Sequence, residues 1–270
     1  MGRIEDAFSE LRREGKKGFI PFITAGDPDL KTTAELLVEL ANAGATLIEL
    51  GVPFSDPMAD GPVIQRASER ALKHGFGLKE IFETTARVRS QVETPLVLFS
   101  YYNPLLQYGL DKLARDARQA GIDGILVTDL TPEESEQFAA TLKLNHLDMI
   151  FLVAPTSTDA RLRLIADHAS GFVYAVSRAG VTGARDNISR EAELLVARVR
   201  RVSSLPVAVG FGISTAQQVA QTLTYADAAV VGSAIVARIE SLSAGDNLVR
   251  ETGRFVRSLI PGSEGAVARP

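Results

Sequence analysis

The stretch LIELGVPFSDPMADGP, residues 47–62, joins an apolar run of strand length to a loop that contains two aspartates and three prolines. The first half is apolar on both alternating faces except for Glu49, which is typical of a parallel strand covered by helices. The second half, rich in Pro, Asp and Gly, predicts a loop. We therefore expect a buried parallel strand whose C-terminal end opens into a polar loop.

Runs of the same kind recur along the chain. They occupy residues 18–26, 46–54, 95–103, 124–130, 148–155, 172–177, 206–212 and 228–236. Because segments with helical periodicity separate them, they predict an α/β protein, a single (β/α)8 TIM barrel domain over residues 1–270. A doubly wound open sheet is the alternative, but it usually has a GxGxxG fingerprint after its first strand, and ITAGDPD lacks one.

Local signals predict where several helices begin. Asp27 and Pro28 are expected at the start of the helix after the first strand. Residues 131–134, TPEE, predict a capping box, and Ser214 with Gln217 predicts another.

Two extra helices are expected outside the barrel repeat. Residues 3–13 place Ile4 and Phe8 on one apolar face that could cover a barrel end, and residues 247–259 form a second amphipathic segment. Residues from about 262 to 270 are expected to be a flexible tail.

Composition excludes several classes of function. The net charge of −4 argues against nucleic acid as the main partner. The absence of cysteine excludes disulfides and thiolate zinc sites and permits a cytoplasmic location. His74, His146 and His168 share no metal-site spacing, so we expect no metal. Without an apolar signal core or a membrane-length run, we expect a soluble protein.

Glu49 is the first candidate for chemistry. It shares a strand face with Leu47 and Gly51, so in a barrel it would point inward, near the C-terminal strand ends where barrel enzymes place their active sites. An apolar surrounding should raise the pKa of this carboxyl and suit it to proton transfer near neutral pH. The alternative is a structural acid paired with a buried Lys or Arg, but no predicted strand supplies an obvious cation before Arg178.

Asp56 and Asp60 follow in the loop. Acids in such loops often bond to nearby backbone amides, and Asp60, directly before Gly61-Pro62, could be such a cap.

Three glycine-bearing loops predict a phosphate site. They are SRAGVTG (177–183), GFGIS (210–214) and VGSA (231–234), after the sixth, seventh and eighth strands. Helix starts offer free amides to an anion, and barrels often bind phosphate in this place. Tight turns would explain one such loop, but three at one rim favour a phosphorylated ligand.

An apolar group at the other end of that ligand would suit several apolar side chains. These are Phe22, Ile64, Leu98, Tyr174 and Phe211. Each is singly more typical of a core residue than of a ligand contact.

Six blocks together resemble the tryptophan synthase alpha subunit family, over nearly the full length. They are IPFITAGDPD, IELGVPFSDPMADGPVIQ, YYNP, FVYAVSRAGVTG, GFGIS and VGSAIV. The resemblance implies retro-aldol cleavage of indole-3-glycerol phosphate, with Glu49 moving protons and Asp60 accepting the indole N–H. It implies that Thr182 closes over the site, bonded to Asp60, with Arg178 supporting that closure. The other implied substrate contacts are Phe22, Ile64, Tyr174 and Phe211 at the indole or glycerol group, and Gly183, Gly212, Gly232 and Ser233 at the phosphate.

The resemblance also implies a partner. The family works in an alpha2-beta2 assembly in which pyridoxal phosphate belongs to the beta subunit, so no cofactor is expected in this chain. Asp56 and the loops around Asn103 and Thr131 resemble the surface that meets the beta subunit. A stand-alone lyase that releases free indole is the alternative. A regulator that binds ligand without catalysis is a third possibility, and it is less consistent with the presence of Glu49, Asp60 and Thr182 together.

Overall fold

The computed structural model describes residues 2–176, 185–210, 212–243 and 245–262, and for residues 185–189 it describes the backbone only. Within these ranges eight strands alternate with twelve helices. The strands are β1 (Gly18–Thr24), β2 (Ile48–Gly51), β3 (Leu96–Ser100), β4 (Gly124–Val127), β5 (Asp148–Val153), β6 (Val173–Val176), β7 (Val207–Gly210) and β8 (Ala228–Val231). The helices are α1 (Arg3–Glu14), α2 (Leu30–Asn42), α3 (Pro62–Leu72), α4 (Leu78–Val88), α5 (Tyr102–Tyr108), α6 (Leu110–Gln119), α7 (Glu136–Leu144), α8 (Asp159–His168), α9 (Arg185–Val199), α10 (Ala216–Leu223), α11 (Ser233–Leu242) and α12 (Leu248–Leu259).

The strands close into one parallel barrel in chain order, with β8 paired to β1. This confirms the predicted (β/α)8 barrel and rejects the open sheet. All eight strands run the same way, so the loops that follow them converge on one rim, and residues from distant parts of the sequence meet there.

The core has two layers, separated by the barrel wall. Side chains such as Ile20, Leu47 and Val230 fill the interior, whereas Ile48 and Leu50 pack outward against helices. The alternation of neighbouring residues in β2 therefore sets which side chains face the barrel axis.

α1 covers the end of the barrel opposite the loop rim, as predicted. Its Ile4 and Phe8 are buried in the interior cluster, and the Phe8 ring lies 5.8 Å from the ring of Phe172. Arg3 on the same helix pairs with the buried Asp123 at 2.9 Å. This end is sealed, which leaves the rim of C-terminal strand ends for the site.

Three predicted helix starts are wrong in detail. α2 is capped by Asp29, which accepts from the Thr32 amide, and not by Asp27. The predicted capping box at 131–134 is a turn in which the Thr131 hydroxyl donates to Glu134, and α7 begins only at Glu136.

The second predicted capping box is displaced by one residue. Thr215 and Gln218 form it, in place of Ser214 and Gln217, because α10 begins at Ala216. The predicted eighth strand, 228–236, ends at Val231 and continues as α11. Apolar runs at a strand–helix junction carry no signal that separates the two periods.

None of the helices in the described ranges has the length and apolar character that crossing a membrane requires. The predicted tail lies almost entirely outside the described residues, which end at Gly262.

Candidate active site

Glu49 lies inside the barrel, on the strand face that the sequence predicts. It is fully buried, in register with Phe22 of β1 and Val97 of β3, both of which belong to the interior cluster. Among the described residues neither carboxyl oxygen has a hydrogen-bond partner, and no Lys, Arg or His forms an ion pair with it. The structural interpretation, a permanent ion pair, therefore finds no support in the described chain.

Burial dominates the protonation of Glu49. Loss of hydration penalises the charged form and raises the pKa of this carboxyl from its ordinary value of 4.5 to about 8. The group is therefore mostly protonated at neutral pH, yet close enough to its pKa to release and recover a proton.

Tyr174 shares the interior with Glu49. It is buried on β6, and burial together with the charge of Glu49 raises the pKa of its phenol well above the ordinary value. The ring reaches across β7 because that strand has a glycine beneath it. A Cβ added to Gly210 would lie 2.0 Å from the Tyr174 hydroxyl oxygen.

The Phe22 ring likewise occupies the space left by a glycine of the neighbouring strand, Gly51 of β2. A Cβ at Gly51 would lie 2.4 Å from the tip of the Phe22 ring, whose edge also contacts Phe99 with ring centroids 5.3 Å apart. Glycine at 51 thus leaves space for an aromatic ring directly above Glu49 on the same strand face.

Asp60 and Ile64 border a cavity that opens beside Phe22. Its walls come from β1, β2, β3 and α3 and comprise Phe22, Thr24, Gly51, Val52, Asp60, Ile64, Ser68, Phe99, Ser100 and Tyr101. The structure therefore brings together three predicted site residues that are up to 42 positions apart in the sequence. The lining combines apolar side chains with the carboxyl of Asp60, a hydrogen-bond acceptor.

Tyr101 is a site residue that the sequence analysis missed. Its hydroxyl oxygen accepts from the Ala59 amide at 2.8 Å, so its proton remains available for the Asp60 carboxylate. Burial raises the pKa of Asp60, and the hydrogen bond from Tyr101 opposes that rise. Burial raises the pKa of Tyr101 to about 12, so the phenol remains a donor. The YYNP motif (101–104), at the end of the third predicted run, is the signal that could have identified it.

The predicted phosphate loops are described in part. Gly212 has a left-handed φ of 79°, which a side chain would disfavour, and it precedes α10. Gly232 caps α11 without a side-chain hydrogen bond, and the amides of Ile235 and Val236 donate to its carbonyl, so the helix start leaves the amides of Ser233 and Ala234 without an intrahelical partner. A Cβ at Gly232 would lie 3.5 Å from Phe22. The start of α11 therefore adjoins the cavity.

Several predicted residues fall elsewhere. Arg178, Thr182, Gly183 and Phe211 lie outside the described residues. Leu98 is wrong as a ligand contact, because its side chain belongs to the outer core between barrel and helices. The alternation along β3 places Val97 and Phe99 inside in its stead.

The predicted partner-facing residues share one sector of the rim. Asp56 and Asn103 are exposed and Thr131 is half-buried, and they follow the neighbouring strands β2, β3 and β4. In the same sector the side chain of Met58 is 95% exposed. The loop that carries Asp56 is held to the barrel by Phe54, whose ring lies 5.2 Å from that of Tyr101.

Comparison with known proteins identifies relatives over almost the whole chain. The family model for the tryptophan synthase alpha chain matches residues 8–259. The tryptophan synthase alpha chain of Geobacter sulfurreducens is 50% identical over an alignment covering 96% of this chain and 98% of its own length. The crystal structure of tryptophan synthase subunit alpha from Legionella pneumophila superposes with a TM-score of 0.89 at 38% identity, covering 96% of this chain and 97% of that one.

A further solved structure concerns mutual activation of the tryptophan synthase alpha2-beta2 complex from Pyrococcus furiosus. Its matching chain has a TM-score of 0.83 and 41% identity, and the superposition covers 90% of this chain and 97% of that chain.

Proposed function

The chain belongs to the tryptophan synthase alpha chain family, and we propose that Glu49 and Asp60 carry out its reaction. That reaction is the cleavage of indole-3-glycerol phosphate to indole and glyceraldehyde 3-phosphate, a carbon–carbon lyase step of tryptophan biosynthesis. The observation that carries the assignment is the buried Glu49 carboxyl, unpartnered among the described residues, with a pKa of about 8.

The two acids divide the work. The protonated Glu49 donates its proton to the indole carbon that bears the side chain, while Asp60 accepts a hydrogen bond from the ring N–H and stabilises the resulting indoleninium. The Glu49 carboxylate then removes the proton of the adjacent hydroxyl. The carbon–carbon bond breaks, its electron pair returns to the ring to give indole, and the hydroxyl carbon becomes the aldehyde. Glu49 ends protonated as it began, so no proton is gained or lost.

The substrate spans the rim from the cavity to the glycine-bearing loops. Phe22, Ile64 and Tyr174 surround the indole or glycerol group, and Phe211 is assigned to the same pocket. Gly183, Gly212, Gly232 and Ser233 bind the phosphate, mainly through backbone amides at helix starts. To Thr182, which lies outside the described residues, we assign the role that the family resemblance implies, closure over the substrate with a bond to Asp60.

We further propose that the chain works with a tryptophan synthase beta subunit in an alpha2-beta2 assembly in the cytoplasm. The relative from Pyrococcus furiosus, described in such a complex, supports this partner. Pyridoxal phosphate is assigned to the beta subunit, so this chain acts without a cofactor of its own. The surface for the partner is the sector with Asp56, Asn103 and Thr131, where an exposed methionine already lies.

Glu49→Gln tests the assignment, because glutamine preserves shape and removes the proton. Purified wild type should release indole, measured by chromatography, and the variant should lose about a hundredfold or more in kcat, the usual contribution of general acid–base catalysis. Glu93→Gln, at an exposed glutamate, is the matched control and should be fully active. Near-normal indole release by Glu49→Gln would refute the role of Glu49, and repeating the assay with the beta subunit tests the partner.

A further inference from the structure

A chain of four alternating charges joins the parts of the fold that carry the two ends of the proposed substrate. Arg70 on α3 grips Asp27, in the loop after β1, with two parallel hydrogen bonds of 2.8 Å each. Its remaining terminal nitrogen donates to Glu240 of α11 at 2.7 Å. Arg66, one turn earlier on α3, makes two more bonds of 2.8 Å to Glu240.

Arg70 is the member that holds the others together. It alone in this chain of charges contacts both acids, and Asp27 is almost completely buried, with its side chain 2% exposed. The side chain of Arg66 is 49% exposed and contacts one acid of the chain. Bidentate bonds between a planar guanidinium and a carboxylate fix direction as well as distance, and Arg70 makes such bonds to Asp27 in the loop after β1. The contact between α3 and α11 is shared, because Arg66 binds both oxygens of Glu240 and Arg70 adds one further bond. Arg70 is therefore the member of this network that ties all three elements together.

Each of the three elements carries a predicted substrate contact at a short, rigid distance from the network. On α3, Ile64 lies six residues before Arg70, which is about 9 Å along a helix. On α11, Ser233 lies seven residues before Glu240, or about 10 Å.

On β1, Phe22 precedes Asp27 by five residues. α3 also packs directly against both α11 and β1. A shift of α3 or α11 at this network of four charges would therefore also move the predicted substrate contacts that the helix carries.

We propose that Arg70 is a positioning residue that sets the separation between the indole-binding and phosphate-binding ends of the site. The substrate joins a ring and a phosphate through a short chain, so both ends fit only when β1 and α3, which carry Phe22 and Ile64, are correctly placed relative to α11, which carries Ser233. Indole alone needs only its contacts on β1 and α3, and a phosphate-bearing half alone needs only its contacts on α11, so neither depends on the placement of one set relative to the other. The inference rests on the proposed function, since it takes the indole end at Phe22 and Ile64 and the phosphate end at Ser233.

A positioning role for Arg70 predicts a pattern of ligand affinities that a purely structural ion pair does not. Without Arg70, the separate halves should bind as before, but a molecule that joins them should bind less well, because it alone depends on the spacing. The ligands are indole, glycerol 3-phosphate, and indole-3-propanol phosphate, which resembles the substrate but lacks its hydroxyls and cannot be cleaved. The protein contains no tryptophan, so the fluorescence of the two indole ligands can be followed directly.

The variant is Arg70→Met, with Arg66→Met as its matched control on the same helix. For Arg70→Met, we expect the Kd values of indole and glycerol 3-phosphate to stay within about twofold, while the joined ligand weakens and kcat/KM falls by roughly tenfold to a hundredfold, as misplacement by about 1 Å does. Arg66→Met should change kcat/KM less than about threefold, because Asp27, Arg70 and Glu240 remain linked. Both variants are assayed well below their measured Tm.

A second variant covers the case in which Arg70→Met does not fold because Asp27 is left buried without a cation. Glu240→Gln keeps the Asp27–Arg70 pair and removes the charge on α11, so it should lower kcat/KM in the same direction. Where both single variants fold, the double variant Arg70→Met/Glu240→Gln should lose less in kcat/KM than the product of the two single losses, because the bond between Arg70 and Glu240 is lost in each single variant.

Two results would overturn the proposal. One is a lower Tm with normal binding of the joined ligand and normal kcat/KM, which would make the network structural only. The other is equal weakening of the halves and of the joined ligand. Failure of the wild type to cleave the substrate would instead overturn the proposed function, so the two failures are separable.

Discussion

Replacing Glu49 by glutamine should remove the activity, and it should also make the variant increasingly more stable than the wild type as the pH rises. The carboxyl is fully buried, its oxygens are unpartnered among the described residues, and burial raises its pKa from 4.5 to about 8. Glutamine at the same place has similar shape and does not titrate. The difference in the free energy of unfolding between variant and wild type therefore isolates the cost of ionising Glu49 inside the barrel.

The sign and size of this pH-dependent difference in the free energy of unfolding follow from proton linkage. Below pH 4.5 the carboxyl is protonated in both states and contributes no pH dependence. Between 4.5 and about 8 the unfolded chain is ionised while the folded protein keeps its proton, so the free energy of unfolding of the wild type falls as the pH rises. The interval is three to four units at about 1.4 kcal/mol per unit, so the full loss is about 5 kcal/mol.

Urea denaturation followed by circular dichroism, from about pH 5 to about pH 9, measures this difference. The free energy of unfolding of the variant, relative to that of the wild type, should increase steadily up to about pH 8, and above that pH the difference should stay constant. Glu93→Gln serves as the control for losing one carboxylate at the surface. A constant difference between Glu49→Gln and wild type over the whole range would show that Glu49 is hydrated or paired in the folded protein, and the reasoning about its proton would fail.

Three further predictions concern activity. The kcat/KM of the wild type should fall about tenfold per unit above about pH 8, because Glu49 must start with its proton; a flat profile to pH 9 would contradict this. Gly51→Ala should lower kcat/KM by about tenfold or more, because its methyl would lie 2.4 Å from the Phe22 ring. Gly61→Ala, whose added Cβ has no atom within 4 Å, should leave kcat/KM unchanged, and equal effects of the two variants would contradict the role of Gly51 in leaving space for the ring. Tyr101→Phe should lower kcat/KM by about tenfold through loss of the hydroxyl that orients the Asp60 carboxylate, with stability changed by less than about 2 kcal/mol; unchanged kinetics would exclude that role.

The sequence predicts the barrel and the orientation of Glu49 for one physical reason, which is that side chains alternate along a strand. The two-residue period of β2 puts Leu47 and Glu49 inside and Leu50 outside, and the structure confirms it. The same rule, applied to β3, separates Leu98 from Val97 and Phe99, but because all three are apolar it does not indicate which face is inside. Leu98 was proposed from its apolar character alone, which does not distinguish the barrel interior from the outer core.

What the sequence could not predict depends on contacts between distant elements. Arg70 and Glu240 are 170 positions apart, and no periodicity relates them. Helix starts were misplaced by one or more residues because Ser, Thr and Asp can each cap, and the choice among neighbours depends on where the preceding strand ends. Thr131 illustrates this, since its hydroxyl bonds to the Glu134 side chain in a turn and α7 begins later.

In the proposed reaction, Glu49 and Asp60 are acids of similar intrinsic strength whose different surroundings suit them to different roles. The proton donor must be neutral at rest, and the interior of the barrel enforces this on Glu49 by denying it any hydration. The group that stabilises a developing positive charge must be able to ionise, and the hydrogen bond from Tyr101 counteracts the effect of burial on Asp60. Loss of that donor would remove the hydrogen bond that opposes the effect of burial on the pKa of Asp60, and it would disfavour the charged form that stabilises the indoleninium. The hydroxyl of Tyr101 therefore favours the ionised form of Asp60, whereas no described residue hydrogen-bonds to the carboxyl of Glu49, and this contrast suits the two acids to their proposed roles.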